Sequence, residues 1–169
     1  MKKIFLSLLV ITSLVACESK TEKTASSTPA NAFGYAIDST ENINTVIKAI
    51  NAGVTSDSAV FVSIYADTAV IYDNMNKQTI SDNMKMASFF KSKGITMKLE
   101  HINDIWETVN YKPDNRGITN YVNVYFDASF TKGTQKSITR INAVFAFQNG
   151  KIVKEWDTYD SAPLVDLLK

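Results

Sequence analysis

Between Asn120 and Phe130 the chain alternates without a break. Val122, Val124, Phe126, Ala128 and Phe130 share one parity, and Tyr121, Asn123, Tyr125, Asp127 and Ser129 share the other. A period of two over that length buries one side of an extended strand and leaves the other polar. Lys132-Gly133-Thr134 then turns the chain into a second extended run, Gln135 to Gln148. Asn149-Gly150, a strong two-residue hairpin signal, leads into a third, Lys151 to Tyr159. The second half is therefore an antiparallel meander with one apolar face, and the remainder of the chain must cover that face.

The first half has the means to do so. Asp38 with Glu41 resembles a capping pair, Ile43, Val46, Ile47 and Ile50 come after it at helical spacing, and Gly53 supplies a left-handed stop. A second helical segment runs from Asp57 to Tyr65, and Ala69-Val70-Ile71-Tyr72 suggests a short strand. A third helix over Thr79 to Ser92 carries Ile80, Met84, Ala87 and Phe90 inward and ends at Gly94. The strand Thr96 to Val109 changes its apolar parity, Met97 and Leu99 being odd and Ile102 and Trp106 even. One extra residue makes such a switch, so a β-bulge is expected between His101 and Asp104, with a strongly bent sheet. Asp160 or Ser161 caps a short terminal helix that holds Pro163, Leu164, Val165, Leu167 and Leu168. Helices first and hairpin-linked strands after them make an α+β fold. The expected form is a conical barrel: a strongly curved antiparallel sheet wrapped around about three N-terminal helices, with a short C-terminal helix.

The N-terminus gives an address. Lys2 and Lys3 precede an apolar run, Ile4 to Val15, which ends at Ala16-Cys17. The run is shorter than the ~20 residues a membrane-spanning helix needs, and its charged flank and small terminal residue read as a secretory signal. With Cys17 at the cut site, the segment resembles the lipobox of bacterial lipoproteins. That likeness implies lipidation of the Cys17 thiol and acyl chains such as palmitate on the new N-terminus. Each buried CH₂ contributes about 0.8 kcal/mol, so several chains hold a protein firmly. Residues 18–32 have no large apolar side chain and are rich in Ser, Thr, Lys and Glu, the composition of a flexible tether. The expected organisation is a signal peptide over 1–16, a lipidated Cys and tether over 17–34, and one domain over 35–169. The expected location is the bacterial cell envelope, anchored to a membrane on its exported side.

Composition removes several classes of function. The chain of 169 residues carries 18 Lys and Arg against 17 Asp and Glu. Loss of Lys2 and Lys3 with the signal leaves one more acid than base, and such a balance offers no field to draw nucleic acid. Cys17 is the only cysteine and His101 the only histidine, which argues against a zinc site and against cysteine nucleophiles. The six glycines are scattered singly, so no phosphate-binding loop is present. No metal and no cofactor is expected.

Two segments resemble a known family. Tyr65-Ala66-Asp67-Thr68-Ala69-Val70-Ile71-Tyr72 resembles the "YADDAV" junction between helix and first strand in the nuclear transport factor 2-like superfamily, which includes the SnoaL-like polyketide cyclases. Gly150-Lys151-Ile152-Val153-Lys154-Glu155-Trp156-Asp157 resembles the family's "GKIVEHWD" at the start of the last strand. The likeness covers Phe33 to Lys169. It implies a conical α+β barrel with a pocket between the helices and the concave sheet face. In the cyclase branch an aspartate on the last strand is the acid/base, usually in company with a histidine. Asp157 holds that motif position, and Glu155 stands where many relatives have His.

Glu155 and Asp157 lie two apart, so a strand sends both to one face together with Val153 and Tyr159. On the concave side, desolvation and mutual repulsion would raise one pKa toward a useful acid/base value; on the outer side both would be hydrated. Trp156, on the other parity, could equally mark the core, and periodicity leaves both faces open. His101 reads as a hydrogen-bonded strand histidine or a lone general base. Tyr65, Tyr72, Trp106, Tyr125 and Tyr159 fall on elements that surround the cone, and Arg140 could orient an acidic ligand. With His101 and Glu155 they make up the expected pocket lining, and Asp157 is the candidate catalytic residue. Three functions fit these features: a lipid-anchored module that binds a small apolar or amphipathic molecule without transforming it, a SnoaL-like isomerase, cyclase or hydratase using Asp157, or an envelope interaction or homodimerisation module. The sheet face leaves a homodimer open.

Overall fold

The computed structural model describes residues 33–169; the signal segment, Cys17 and the tether up to residue 32 lie outside the described residues. In chain order the elements are β1 (Gly34–Ile37), α1 (Glu41–Thr55), α2 (Ser58–Ile64), β2 (Tyr65–Asp73), β3 (Asn76–Gln78), α3 (Ile80–Ser92), β4 (Ile95–Asn110), β5 (Asn120–Lys132), β6 (Gln135–Gln148), β7 (Lys151–Tyr159) and α4 (Ala162–Leu168). The strands form one sheet in the order β1-β4-β5-β6-β7-β2-β3. β1 begins at Gly34, within the stretch expected as tether, by pairing with Asn110 of β4. The expected α+β architecture is present, with one departure: β2 runs parallel to β7, while all other pairs are antiparallel.

The helices take their caps from residues adjacent to those expected. Thr40, not Asp38, accepts from the Ile43 amide and starts α1. The helix runs past Gly53, and Ser56 takes the left-handed position at φ 58°. Ile43, Val46, Ala49 and Ile50 form its buried stripe against β4 and β5. Asp57 caps α2, and Thr79 with Asp82 forms a reciprocal capping box on α3. At the last helix the amide of Ala162 donates to Asp160. Asn149 and Gly150 both adopt positive φ, 52° and 72°, as the tight β6–β7 turn requires.

The inner face of β5 carries Val122, Val124, Phe126, Ala128 and Phe130, all buried. Across from it, β4 breaks register twice, between Leu99 and His101 and between Ile102 and Asp104. Glu100 and Asn103 are the extra residues, and each flips the parity of the residues after it. Met97 and Leu99 face inward, then Ile102, then Ile105 and Glu107. Trp106 thus belongs to the outer face opposite Asn123, because a second bulge restores the odd parity that the first removed.

Glu107 is fully covered. Its Oε1 accepts from Asn42 of α1 at 2.7 Å and from Asn120 of β5 at 2.5 Å. This carboxylate pins the first helix to the sheet at the end of the cone away from β7.

Candidate functional site

The sheet order sets β7 between β6 and β2. Glu155 lies opposite Phe145 on one side and Ile71 on the other, and Asp157 lies opposite Ala143 and Asp73. All of these inner-face positions look toward the helices. There the sheet and the helices leave a cavity of about 160 Å³, bordered by Phe61, Phe90, Phe126, Phe130 and Phe145 along its apolar wall. Tyr65, Asp73, Glu155, Asp157 and Tyr159 border the same cavity and supply its polar end. An apolar cavity of ~150 Å³ takes one benzene-sized molecule. A second hollow shares Gly53, Phe61, Asn83 and Ala87 with it and runs between the end of α1, the start of α2 and α3. No residue of α3 is fully buried: Ile80, Met84 and Phe90 pack half-buried against the core, and Asn83, Met86, Ala87 and Phe90 border the cavity.

The polar end gathers carboxyls and phenol hydroxyls. The Tyr65 hydroxyl donates to Glu155 Oε2 at 2.5 Å, and the Asp157 carboxyl borders the cavity next to Glu155 on the same face of β7. Burial pushes the Glu155 carboxyl up from its ordinary value near 4.5 to about 7, and the charge on Asp73 pushes the same way against the bond Glu155 accepts from Tyr65. Asp157 is raised well above the carboxylate range, first by burial and then by the Glu155 charge. Burial and mutual repulsion thus hold both carboxyls above the ordinary range, and the pair favours keeping a proton between them. Tyr65 is raised by its own burial and by Glu155. Tyr159 is raised by burial and by the Asp73 carboxylate beside it. Such a pair can hold a hydrogen-bonding ligand or pass it a proton.

Of the residues singled out from the sequence, the cavity brings together Tyr65, Glu155, Asp157 and Tyr159. The rest of the expected lining is elsewhere. Tyr72 stacks on Trp156 at 6.3 Å, and Trp106 stacks on Tyr125 at 6.0 Å, both on the outer face. Arg140 grips Asp127 with two bonds, 2.8 and 3.0 Å, also on the outer face. His101 is exposed there and shares a 2.8 Å contact with Asn103. Cys17 lies outside the described residues.

Two carboxylates were not singled out. Asp73 closes β2 with the parity of Ala69 and Ile71, a signal the sequence did contain. Glu107 becomes an inner residue only once both bulges of β4 are counted. Among the described residues no three His, Cys, Asp or Glu side chains are grouped to hold a metal ion.

The sequence matches no family model and no curated protein. Solved structures do match. An LEH-like epoxide hydrolase of M. tuberculosis superposes with a TM-score of 0.54 at 16% identity, over 75% of this chain and 87% of that one. IdmH of Streptomyces antibioticus, a candidate polyketide cyclase, gives 0.55 at 14% identity, over 76% and 99%. A candidate SnoaL-like polyketide cyclase of Shewanella putrefaciens gives 0.54 at 12% identity, over 78% and 87%. At these identities the likeness is one of architecture. The chain has the conical α+β fold of the nuclear transport factor 2-like superfamily.

Proposed function

We propose that this protein is a membrane-anchored envelope lipoprotein, held through Cys17, whose cone binds a small and mainly apolar molecule by one polar end. The cavity supports this reading: an aromatic wall around a space of about 160 Å³, closed by Tyr65, Glu155 and Asp157. Its size suits a single ring or a short branched chain. The test is native mass spectrometry of the full-length protein in detergent, taken from its own host. A small molecule should remain bound, and Ala128→Phe, which fills the cavity from β5, should release it. A parent protein that retains nothing and gains no thermal stability from ring-sized compounds would refute the reading.

A second reading has its own support. A carboxyl near pKa 7 beside a second raised carboxyl suits general acid–base catalysis, the chemistry of a SnoaL-like isomerase, cyclase or hydratase. Asp157→Asn separates the two. Loss of a catalytic proton lowers the rate of a substrate's conversion by about 10²–10⁴-fold. In a pocket that only binds, the same change shifts affinity by about 1–3 kcal/mol.

A further inference from the structure

Every charged side chain that borders the cavity is acidic. Asp73, Glu155 and Asp157 meet it at one end, and no lysine, arginine or histidine borders it among the described residues. Buried acceptors in folded proteins nearly always find donors. Asp73 does not: it is 9% exposed, its Oδ2 accepts from Gln78 at 3.2 Å, and its Oδ1 accepts no hydrogen bond. The Gln78 Oε1 beside it is likewise without a donor. This end of the cavity thus holds an Asp73 oxygen without a donor and negative charge without a cation among the lining residues. A buried charge is costly unless something pairs with it. The rest of the wall is aromatic, with Phe61, Tyr65, Phe126 and Phe145 presenting rings, and ring faces attract cations. The carboxyls are not grouped for a metal ion, which leaves an organic cation.

We infer that the molecule held in this cone is a compact organic amine, its ammonium group against Asp73 and the Glu155–Asp157 pair and its apolar body against the aromatic wall, an inference that rests on the cone being a binding pocket. An ammonium group brings several donors and a positive charge to the oxygens that lack both. A neutral ligand would supply at most the donors, and an anion would meet three carboxyl groups.

Three probes of one ring and nearly one size separate these cases: benzylamine, benzyl alcohol and benzoate. Each is titrated calorimetrically into the full-length protein in detergent at about pH 8, against a detergent blank. Benzylamine should bind more tightly than benzyl alcohol by about tenfold or more, as a charge-assisted bond requires, and benzoate should bind most weakly. Asp73→Asn keeps the shape, removes the charge and should bring the amine to within about threefold of the alcohol. Should that variant not fold, Glu155→Gln reads the same loss of amine preference, and the three-probe order in the parent stands alone as a test. Equal affinity for amine and alcohol, or tighter benzoate, overturns the amine and leaves the pocket standing. Binding of none of the three overturns both.

Discussion

Replacing Glu155 by Gln should make the protein more stable at pH 8 and leave it unchanged near pH 4.5. The folded carboxyl titrates near 7 and the unfolded one near its ordinary 4.5. Between those values the folded state binds the proton and the unfolded state does not, so stability falls as pH rises through the window and is level above it. A gap of that size corresponds to about 3 kcal/mol, at 1.36 kcal/mol per pKa unit. The glutamine amide would have no charge to desolvate, and its carbonyl can still accept from Tyr65. Asp157, raised as well, acts with the same sign, and the carboxyls held low outside the cavity act with the opposite one. Lys136 and Ser129 hold Glu100 down to about 2, and Asp114 and Asp127 are held low by Tyr121 and Arg140 respectively. Their contribution is lost only as pH falls below about 4. Urea unfolding of parent and variant at half-unit steps from pH 4.5 to 8 reads the contribution of Glu155, together with its effect on Asp157, as the difference between the curves. That difference should grow from near zero to about 3 kcal/mol in favour of the variant. A difference that is independent of pH, or one that favours the parent at pH 8, would refute the buried-carboxyl account.

Glu107→Ala strips two half-buried amide donors, on Asn42 and Asn120, of their shared acceptor and should cost about 1–3 kcal/mol in urea unfolding, whereas Glu107→Gln, which keeps an acceptor, should cost clearly less. Arg140→Ala breaks an ion pair whose arginine is largely exposed; it should cost less than about 1 kcal/mol and leave binding of cavity ligands unaltered by calorimetry. Cys17→Ala should yield a protein that incorporates no labelled fatty acid and leaves the membrane fraction, and equal labelling of variant and parent would remove the anchor.

How much of this could be read from the residues varies along the chain. β5 was legible because each inward side chain is apolar and a clean hairpin comes after it. β4 was legible only in part. An alternation reports the net parity of a strand, and two inserted residues cancel, so the stretch after Asn103 looks continuous with the stretch before Glu100. Trp106 made the ambiguity worse. Large aromatic rings with a polar tip are at home on a half-covered face, and on the outer sheet Trp106 pairs with Tyr125 and Tyr72 with Trp156. Ring size therefore does not say which face is the core. For β7 the same uncertainty was resolved by its neighbours, since Glu155 and Asp157 sit among Phe145, Ala143 and Ile71, all of them fully covered.

The parallel pairing of β2 with β7 could not be read at all, because no turn joins the two strands and no local pattern records their register. Yet it decides the site. Its register sets Ile71 beside Glu155, Tyr72 beside Trp156 and Asp73 beside Asp157, so the two segments whose sequences carried the family resemblance lie hydrogen-bonded to each other. On the outer face that register makes the Tyr72–Trp156 stack, with the Lys154 ammonium 4.9 and 4.7 Å from the two rings. On the inner face it sets one carboxyl against another. Adjacent carboxyls out of reach of any cation relieve their repulsion by keeping a proton, and Asp157, buried and with Glu155 on its own strand and Asp73 on the next, is raised for that reason. Burial and the Glu155 charge on its own strand raise Asp157 most, and the pairing of β2 with β7 adds the Asp73 charge to them. Asp73→Asn, which removes that charge and keeps the shape, should therefore leave the Asp157 carboxyl still raised, as a carbon NMR titration of the side chain would show.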